Sequence, residues 1–165
     1  MNQLLVSACL LGNPVRYDGQ SKTMSHPGLA RLEEQGRVVG FCPEVAGGLS
    51  IPRPAAEISG ADGAAVIAGA ASVVTRNGSD VTDYFLSGAN QALAICHQHA
   101  ITVAVLTESS PSCGSSRIYD GSFTRHAVPG SGVTAAMLRQ HGIAVFSQHQ
   151  LDAAINLLEF GNNGD

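Results

Sequence analysis

The sequence predicts an α/β protein: one domain over residues 1–165 with a mostly parallel sheet, helices on both faces and a small β-hairpin excursion. Two observations predict it. Short apolar runs alternate along the chain with segments of helical periodicity, the pattern that parallel strands and their crossover helices produce. Three of those runs lead straight into a loop that carries a cysteine, Cys9, Cys42 or Cys113, and in such sheets ligands bind outside the carboxyl ends of the strands.

Each element has its own signal. Leu4 to Ala8 is an apolar run without alternation, as expected of a strand buried on both faces. Pro27 suits the first turn of a helix over Leu29 to Gln35, and Gly36 suits its end. Arg37 to Phe41 reads as the second strand, stopped by Pro43. Ala64 to Ile67 and Ser72 to Thr75 read as two short strands of a hairpin before the turn Asn77-Gly78. Thr82 to His99 is the clearest helix: Asp80 or Thr82 can cap it, and Phe85, Ala89, Ala92, Leu93 and Cys96 recur at spacings of three and four. Ile101 to Leu106 is a β-branched central strand. A helix over Val133 to Gln140, a strand over Ile143 to Ser147 and a helix from Leu151 to Phe160 complete a Rossmann-like order.

Composition excludes several classes. The chain has 9 Lys+Arg against 13 Asp+Glu, a formal net charge of −4, so no general basic field holds it on nucleic acid. With 5 Phe, 3 Tyr and no Trp, a stacking surface for single strands is poorly supported. No apolar stretch approaches the ~18 to 20 residues of a membrane span, and the amino-terminal run, broken by Ser7 and Gly12, lacks the features of a signal peptide. The expected location is the cytoplasm, where cysteines are thiols or metal ligands rather than disulfides.

Of the four cysteines, Cys96 continues a helical apolar stripe and reads as structural. Cys9, Cys42 and Cys113 follow three different strands, so one crevice can gather them. Three readings remain open on spacing alone. The thiols are small buried hydrophobes, a zinc site lacking the usual paired C-x-x-C spacing and fourth ligand, or ligands of an iron-sulfur cluster, which accepts thiolates from any part of a fold.

The surrounding strings carry more information. They are Ser7-Ala8-Cys9-Leu10-Leu11-Gly12 with Arg16-Tyr17-Asp18-Gly19, Cys42-Pro43-Glu44-Val45-Ala46-Gly47-Gly48-Leu49 with Pro52-Arg53-Pro54, Ser109-Ser110-Pro111-Ser112-Cys113-Gly114, Tyr119-Asp120-Gly121-Ser122-Phe123 and Gly132-Val133-Thr134-Ala135. Together, in one order from about Leu4 to Phe146, they resemble the family once catalogued as domain of unknown function 523 and now associated with thiouracil desulfurases. The resemblance implies a desulfurase that converts 2-thiouracil or a related thiolated pyrimidine to uracil and sulfide. It also implies a [4Fe-4S] cluster on three cysteine ligands, Cys9, Cys42 and Cys113, and hydrolytic, non-redox abstraction of sulfur at the open iron. Many relatives resemble A-C-L-L-G-x-x-C-R-Y-D-G, whereas this chain has Val15 at the second cysteine. Valine cannot ligate iron, and three ligands plus one open position suit the implied chemistry, so the position reads as dispensable.

Glu44, two residues beyond Cys42, is placed to activate water or to serve a ring nitrogen, and the resemblance also points to it. Ser110 and Ser112 flank Pro111 before Cys113, where a hydroxyl can hold substrate or bound sulfur; turn formation explains at least one of them. Ser7 is a weaker candidate. Arg16, Asp18 and Arg53 read as loop locks, and the amides of Gly47, Gly48 and Gly114 as donors to cluster sulfurs. The six histidines form no helical metal motif, although His126 lies near the pocket in sequence. The competing readings are a non-catalytic iron-sulfur module that senses oxygen or iron, a zinc or thiol enzyme, and a desulfurase of a thiolated nucleoside or tRNA.

Overall fold

Leu4–Ser7 (β1), Val38–Phe41 (β2), Val103–Leu106 (β5) and Ala144–Ser147 (β8) form one sheet in the order β2-β1-β5-β8, all parallel, in the computed structural model, which describes residues 1–161. The side chains of β1 and β5 are buried on both faces, as their unbroken apolar runs require. Leu4, Val6, Val103 and Val105 pack under Pro27–Glu34 (α1) and Leu151–Phe160 (α6). Leu5, Ala104, Leu106 and Val145 pack under Thr82–His99 (α4) and Val133–Gln140 (α5). Helices therefore cover both faces. Each fully buried aliphatic side chain in these layers is worth about 1.5 to 3 kcal/mol. Cys96, 1% exposed, lies in the second layer as the helical stripe predicts, and burial pushes its thiol up to about 11.

The ends of these elements are chemically marked. Nδ1 of His26 accepts the amides of Gly28 at 3.0 Å and Leu29 at 3.4 Å, which caps α1 ahead of Pro27. Asp80 accepts the Thr82 amide at 2.9 Å, while the Thr82 hydroxyl is turned away to accept from the Val73 amide.

The middle of the chain departs from expectation. Residues 64–67 are not a strand but part of a short helix, Gly63–Ile67 (α3). Asp62 accepts the Ala65 amide at 3.1 Å and so caps it, and that cap outweighs the weak β preference of Val66 and Ile67. A hairpin does exist: Ser72–Thr75 (β4) pairs antiparallel with Ala56–Ser59 (β3), which follows Pro54 and gives no alternation of its own. A second hairpin, Arg117–Tyr119 (β6) with Ala127–Pro129 (β7), also escapes sequence reading because its strands are three residues long. No helix among the described residues is long and apolar enough to cross a membrane.

Pro43 ends β2 as expected and also begins a single helical turn, Pro43–Ala46 (α2). This turn lies directly on α4. A Cβ on Gly88 would run into the Pro43 carbonyl, and one on Gly47 would run into the Tyr84 carbonyl. Two glycines facing each other thus set the distance between α4 and the segment that carries Cys42 and Glu44. Gly88→Ala is expected to destabilise the protein by about 1 to 3 kcal/mol through overpacking, read as a lower urea midpoint, whereas Ala substitution at exposed Asn90 of the same helix leaves the midpoint nearly unchanged.

Candidate active site

β1 lies between β2 and β5, so the chain leaves its carboxyl end toward one neighbour and later returns to the other. That reversal opens a crevice at the carboxyl edge, where α/β sheets bind their ligands. Cys9 stands there in the 3-10 turn Ala8–Leu11 after β1, Cys42 caps α2 after β2, and Cys113 lies in the loop after β5. All three thiols, with Glu44, Ser110 and Val15, line one cavity of about 320 Å³.

The thiols are held as protonated groups in the absence of a metal. Burial pushes Cys113 well above the usual thiol range, the Ser7 hydroxyl opposes the shift, and the neighbouring Cys42 and Cys9 add to it. Burial also raises Cys9, with Cys42 adding and Arg16 opposing. Cys42 rises for the same reason, against the Val45 amide. Thiols raised in this way are poor nucleophiles by themselves.

The lining nonetheless suits a thiolate-bound group. Ser7 Oγ accepts the Thr107 amide at 3.0 Å, leaving its own proton for the Cys113 sulfur. Thr107 Oγ1 acts on the Cys9 thiol yet forms no complete hydrogen bond, and it is the one buried side-chain polar atom without a partner among the described residues. A hydroxyl left in this state calls for an acceptor that the protein does not supply. Among the described residues no three His, Cys, Asp or Glu side chains stand close enough to hold a single metal ion. A four-iron cluster takes its thiolates at separate corners, an arrangement that three thiols on three different loops can meet.

Glu44 is 17% exposed and pairs through Oε1 with Arg53 Nε at 3.2 Å. Burial raises its carboxyl above the ordinary range, and the Arg53 charge and hydrogen bond hold it back. Arg53 also donates to the carbonyls of Ser50 at 3.1 Å and Val15 at 2.9 Å, so it locks the loops as expected and positions the carboxylate as well. Val15 thus contributes its carbonyl, and its half-buried side chain packs against the core layer that contains Leu4, Val6 and Leu10.

The two serines separate. Ser110 Oγ lines the cavity, donates to Glu44 Oε2 at 3.5 Å and accepts the amides of Ser112 and Cys113 at 3.1 Å each. Ser112 is fully buried, and its hydroxyl bonds Thr134 on α5 at 2.8 Å, away from the cavity. The glycine amides expected to face sulfur are taken by the protein: Gly47 by Pro43, Gly48 by Val45 and Gly114 by Ser110. Arg16 forms no lock, since its guanidinium donates no hydrogen bond among the described residues and lies 5.9 Å from the Tyr17 ring centroid. His126 does not line the cavity.

Sequence reading missed Glu108, one residue past the end of β5 and its following Thr107. It accepts the amides of Ser109, Ser115, Ser116 and Arg117 and the hydroxyls of Ser115 and Ser116. A carboxylate amid five serines and an X-Pro turn was the available signal. Burial pulls its carboxyl upward, but these bonds prevail and hold it at about 2. Glu108 therefore shapes the loop that carries Ser110 and Cys113.

A parallel sheet with a crevice of thiols and a carboxylate raised by burial at its carboxyl edge has the form of a cofactor-dependent α/β enzyme. The model of the 2-thiouracil desulfurase family matches residues 4–150, and the chain belongs to that family. It is 42% identical over 149 residues to an uncharacterized protein of Bacillus subtilis (strain 168), YbbK, covering 90% of this chain and 97% of that protein. A solved structure described as the [4Fe-4S]-dependent thiouracil desulfidase TudS (DUF523Vcz) superimposes with a TM-score of 0.89 at 49% identity, covering 97% of this chain and 99% of that one.

Because the folded carboxyl of Glu108 sits near 2 against an ordinary 4.5, the stability it lends is present above pH about 4.5 and drains as pH falls toward 2. Glu108→Gln is expected to cost about 1 to 2 kcal/mol at pH 7 once solvent screening of this half-exposed group is counted, with the gap to the parent narrowing in urea melts at pH about 3.

Proposed function

We propose that this chain is a [4Fe-4S]-dependent desulfurase that converts 2-thiouracil, or a related thiolated pyrimidine, to uracil and sulfide, with Cys9, Cys42 and Cys113 as the three ligands. The observation that carries the reading is the meeting of three thiols, two buried and one half-buried, with the Glu44–Ser110 pair on one cavity wall. When bound on three thiolates, the cluster supplies an open iron, a soft Lewis acid suited to thiocarbonyl sulfur.

Glu44 handles the protons. Exchange of sulfur for oxygen at C2 consumes one water and changes no oxidation state, so both protons leave the water, one as its oxygen bonds carbon and one as the carbonyl forms. One goes to the departing sulfur, which leaves as hydrosulfide, and the other is released to solvent. A carboxyl raised above its ordinary range by burial is better fitted to take and return a proton than a free one, and the Arg53 guanidinium steadies its ionised form. Ser110, whose Oγ already accepts two amides, has a single proton to give. It goes to Glu44 at rest and to the pyrimidine oxygen when substrate lies in the cavity. Ser112 acts through Thr134 as a positioning residue.

A merely cluster-holding protein gives no reason to bury Glu44 against Arg53, because an ion pair removed from water gains little net stability. Glu44→Gln is expected to lower kcat/KM by about 10² to 10⁴-fold while iron content and the broad absorption of the cluster stay at parental levels. Turnover within threefold of the parent would remove Glu44 from the chemistry, whereas a parent that holds its cluster and turns over no thiolated pyrimidine would favour the sensing module. Replacing Cys113 by Ser is expected to yield protein with less than half the parental iron after anaerobic reconstitution, and full iron loading would take Cys113 out of the ligand set.

A further inference from the structure

Thr107, the residue after β5, is 9% exposed, and its Oγ1 is buried without a hydrogen-bond partner among the described residues. A hydroxyl in that state costs free energy that a methyl in its place would not. Valine has the same branched shape, so packing alone gives no reason for threonine here. The hydroxyl has a use only when something that accepts its proton stands in the cavity it lines.

The neighbouring strand holds its counterpart. β1 and β5 pair in parallel with Val6 beside Val105, so Ser7 and Thr107 come at adjacent strand ends. Ser7 is 2% exposed and lines the same cavity. Its Oγ accepts the Thr107 amide at 3.0 Å, a bond that uses the oxygen as acceptor and leaves its proton to give. The two hydroxyls are crossed between the strands. Burial raises the thiols of Cys113 and Cys9, and the groups that oppose the rise include the Ser7 hydroxyl at Cys113 and the Thr107 hydroxyl at Cys9. The strand end that precedes one cysteine thus serves the other. Cys42 is supplied differently: burial raises it too, and the amides of Val45 and Glu44, just beyond it, oppose the rise. Each of the three sulfurs therefore has a donor of its own.

We propose that Thr107 and Ser7 act on the cluster through its ligands, the Thr107 hydroxyl donating to the Cys9 sulfur and the Ser7 hydroxyl to the Cys113 sulfur once both are thiolates. This rests on the reading of these cysteines as [4Fe-4S] ligands and assigns a role to two residues that reading leaves without one. A thiol sulfur is a weak acceptor, which is why the Thr107 hydroxyl stays unpaired beside protonated Cys9. A thiolate accepts strongly, as charged acceptors do. Hydrogen bonds to coordinating sulfur draw charge off the thiolate and raise the reduction potential of an iron-sulfur centre. The same withdrawal of charge favours Lewis-acid behaviour at an iron that carries no protein ligand.

Thr107→Val and Thr107→Ser separate the hydroxyl from the methyl, since valine keeps the shape and serine keeps the donor. Iron and sulfide content of the anaerobically reconstituted holoprotein is measured first. The midpoint of one-electron reduction then follows from a dye-mediated titration read by electron paramagnetic resonance. Thr107→Val is expected to disfavour reduction about tenfold, a fall of about 59 mV for one electron, while Thr107→Ser stays within about twofold of the parent. Ser7→Ala is expected to move the midpoint in the same direction. A midpoint that Thr107→Val leaves within about twofold of the parent overturns the proposal. So does one that Thr107→Ser moves as far as Thr107→Val, because the methyl and not the hydroxyl is then what counts. Should Thr107→Val fail to take up iron while Thr107→Ser loads fully, the need for the hydroxyl is upheld. Should neither load, Ser7→Ala decides, a fallen midpoint supporting the donor pair and an unmoved one refuting it.

These readouts do not depend on turnover. A loaded parent that converts no thiolated pyrimidine, yet whose midpoint falls in Thr107→Val, defeats the desulfurase reading and leaves the donor pair standing. Normal conversion of 2-thiouracil with an unmoved midpoint defeats the donor pair alone. A parent that takes up no cluster defeats both.

Discussion

The position of β1 inside the parallel sheet is the constraint on which the rest of the structure depends. With β2 on one side and β5 on the other, the loops that follow these three strands leave one edge and enclose a common crevice. Each loop supplies one thiol, and the sheet hydrogen bonds that align Leu4 with Val38 and Val103 also fix how far apart those loops begin. The hydrophobic layers on both faces make that alignment rigid, because a one-residue slip would turn Leu5 and Val6 to the wrong helices. Cys9 and Cys113 are thereby carried by loops that start from the buried centre of the sheet.

Around that frame, the loops solve a shared problem of burial. Three thiols, a carboxylate and two hydroxyls lie out of water on one side of a small cavity, and each buried polar group needs a partner. Arg53 ties Glu44 to the carbonyls of Ser50 and Val15, and Glu108 gathers the amides of the loop that holds Cys113. Ser7 and Thr107, at the ends of adjacent strands, bring one hydroxyl near each of two sulfurs. The Thr107 hydroxyl alone remains without a partner. The pattern is that of an enclosure completed by a guest.

Periodicity read the main sheet and the long helices correctly because burial on both faces leaves runs such as Val103 to Leu106, and burial on one face leaves the Phe85 to Cys96 stripe. It misread residues 64–67, where a side-chain cap three residues long decides the backbone, and it passed over β3, β6 and β7, whose identity lies in partners rather than in their own residues. The site followed the same rule. Cys9, Cys42, Cys113, Glu44 and Ser110 were legible from the loops after strands, whereas the separation of Ser110 from Ser112 depends on which way two neighbouring side chains turn. Nothing in the spacing reveals that Ser112 meets Thr134, twenty-two residues away, across the start of α5.

The amino-acid sequence by itself determined the fold class, the order of the main strands and the cysteines and carboxylate that share an edge, because these follow from local apolar pattern and the handedness of parallel crossovers. The tertiary structure alone decided how the charges are used. Arg53 belongs to Glu44, and Glu57 and Glu108 belong to loop amides. Charge pairing acts through space over a few ångströms, and Glu57 meets the amides of Gly121 and Phe123 only once the two hairpins have closed over the carboxyl edge of the sheet.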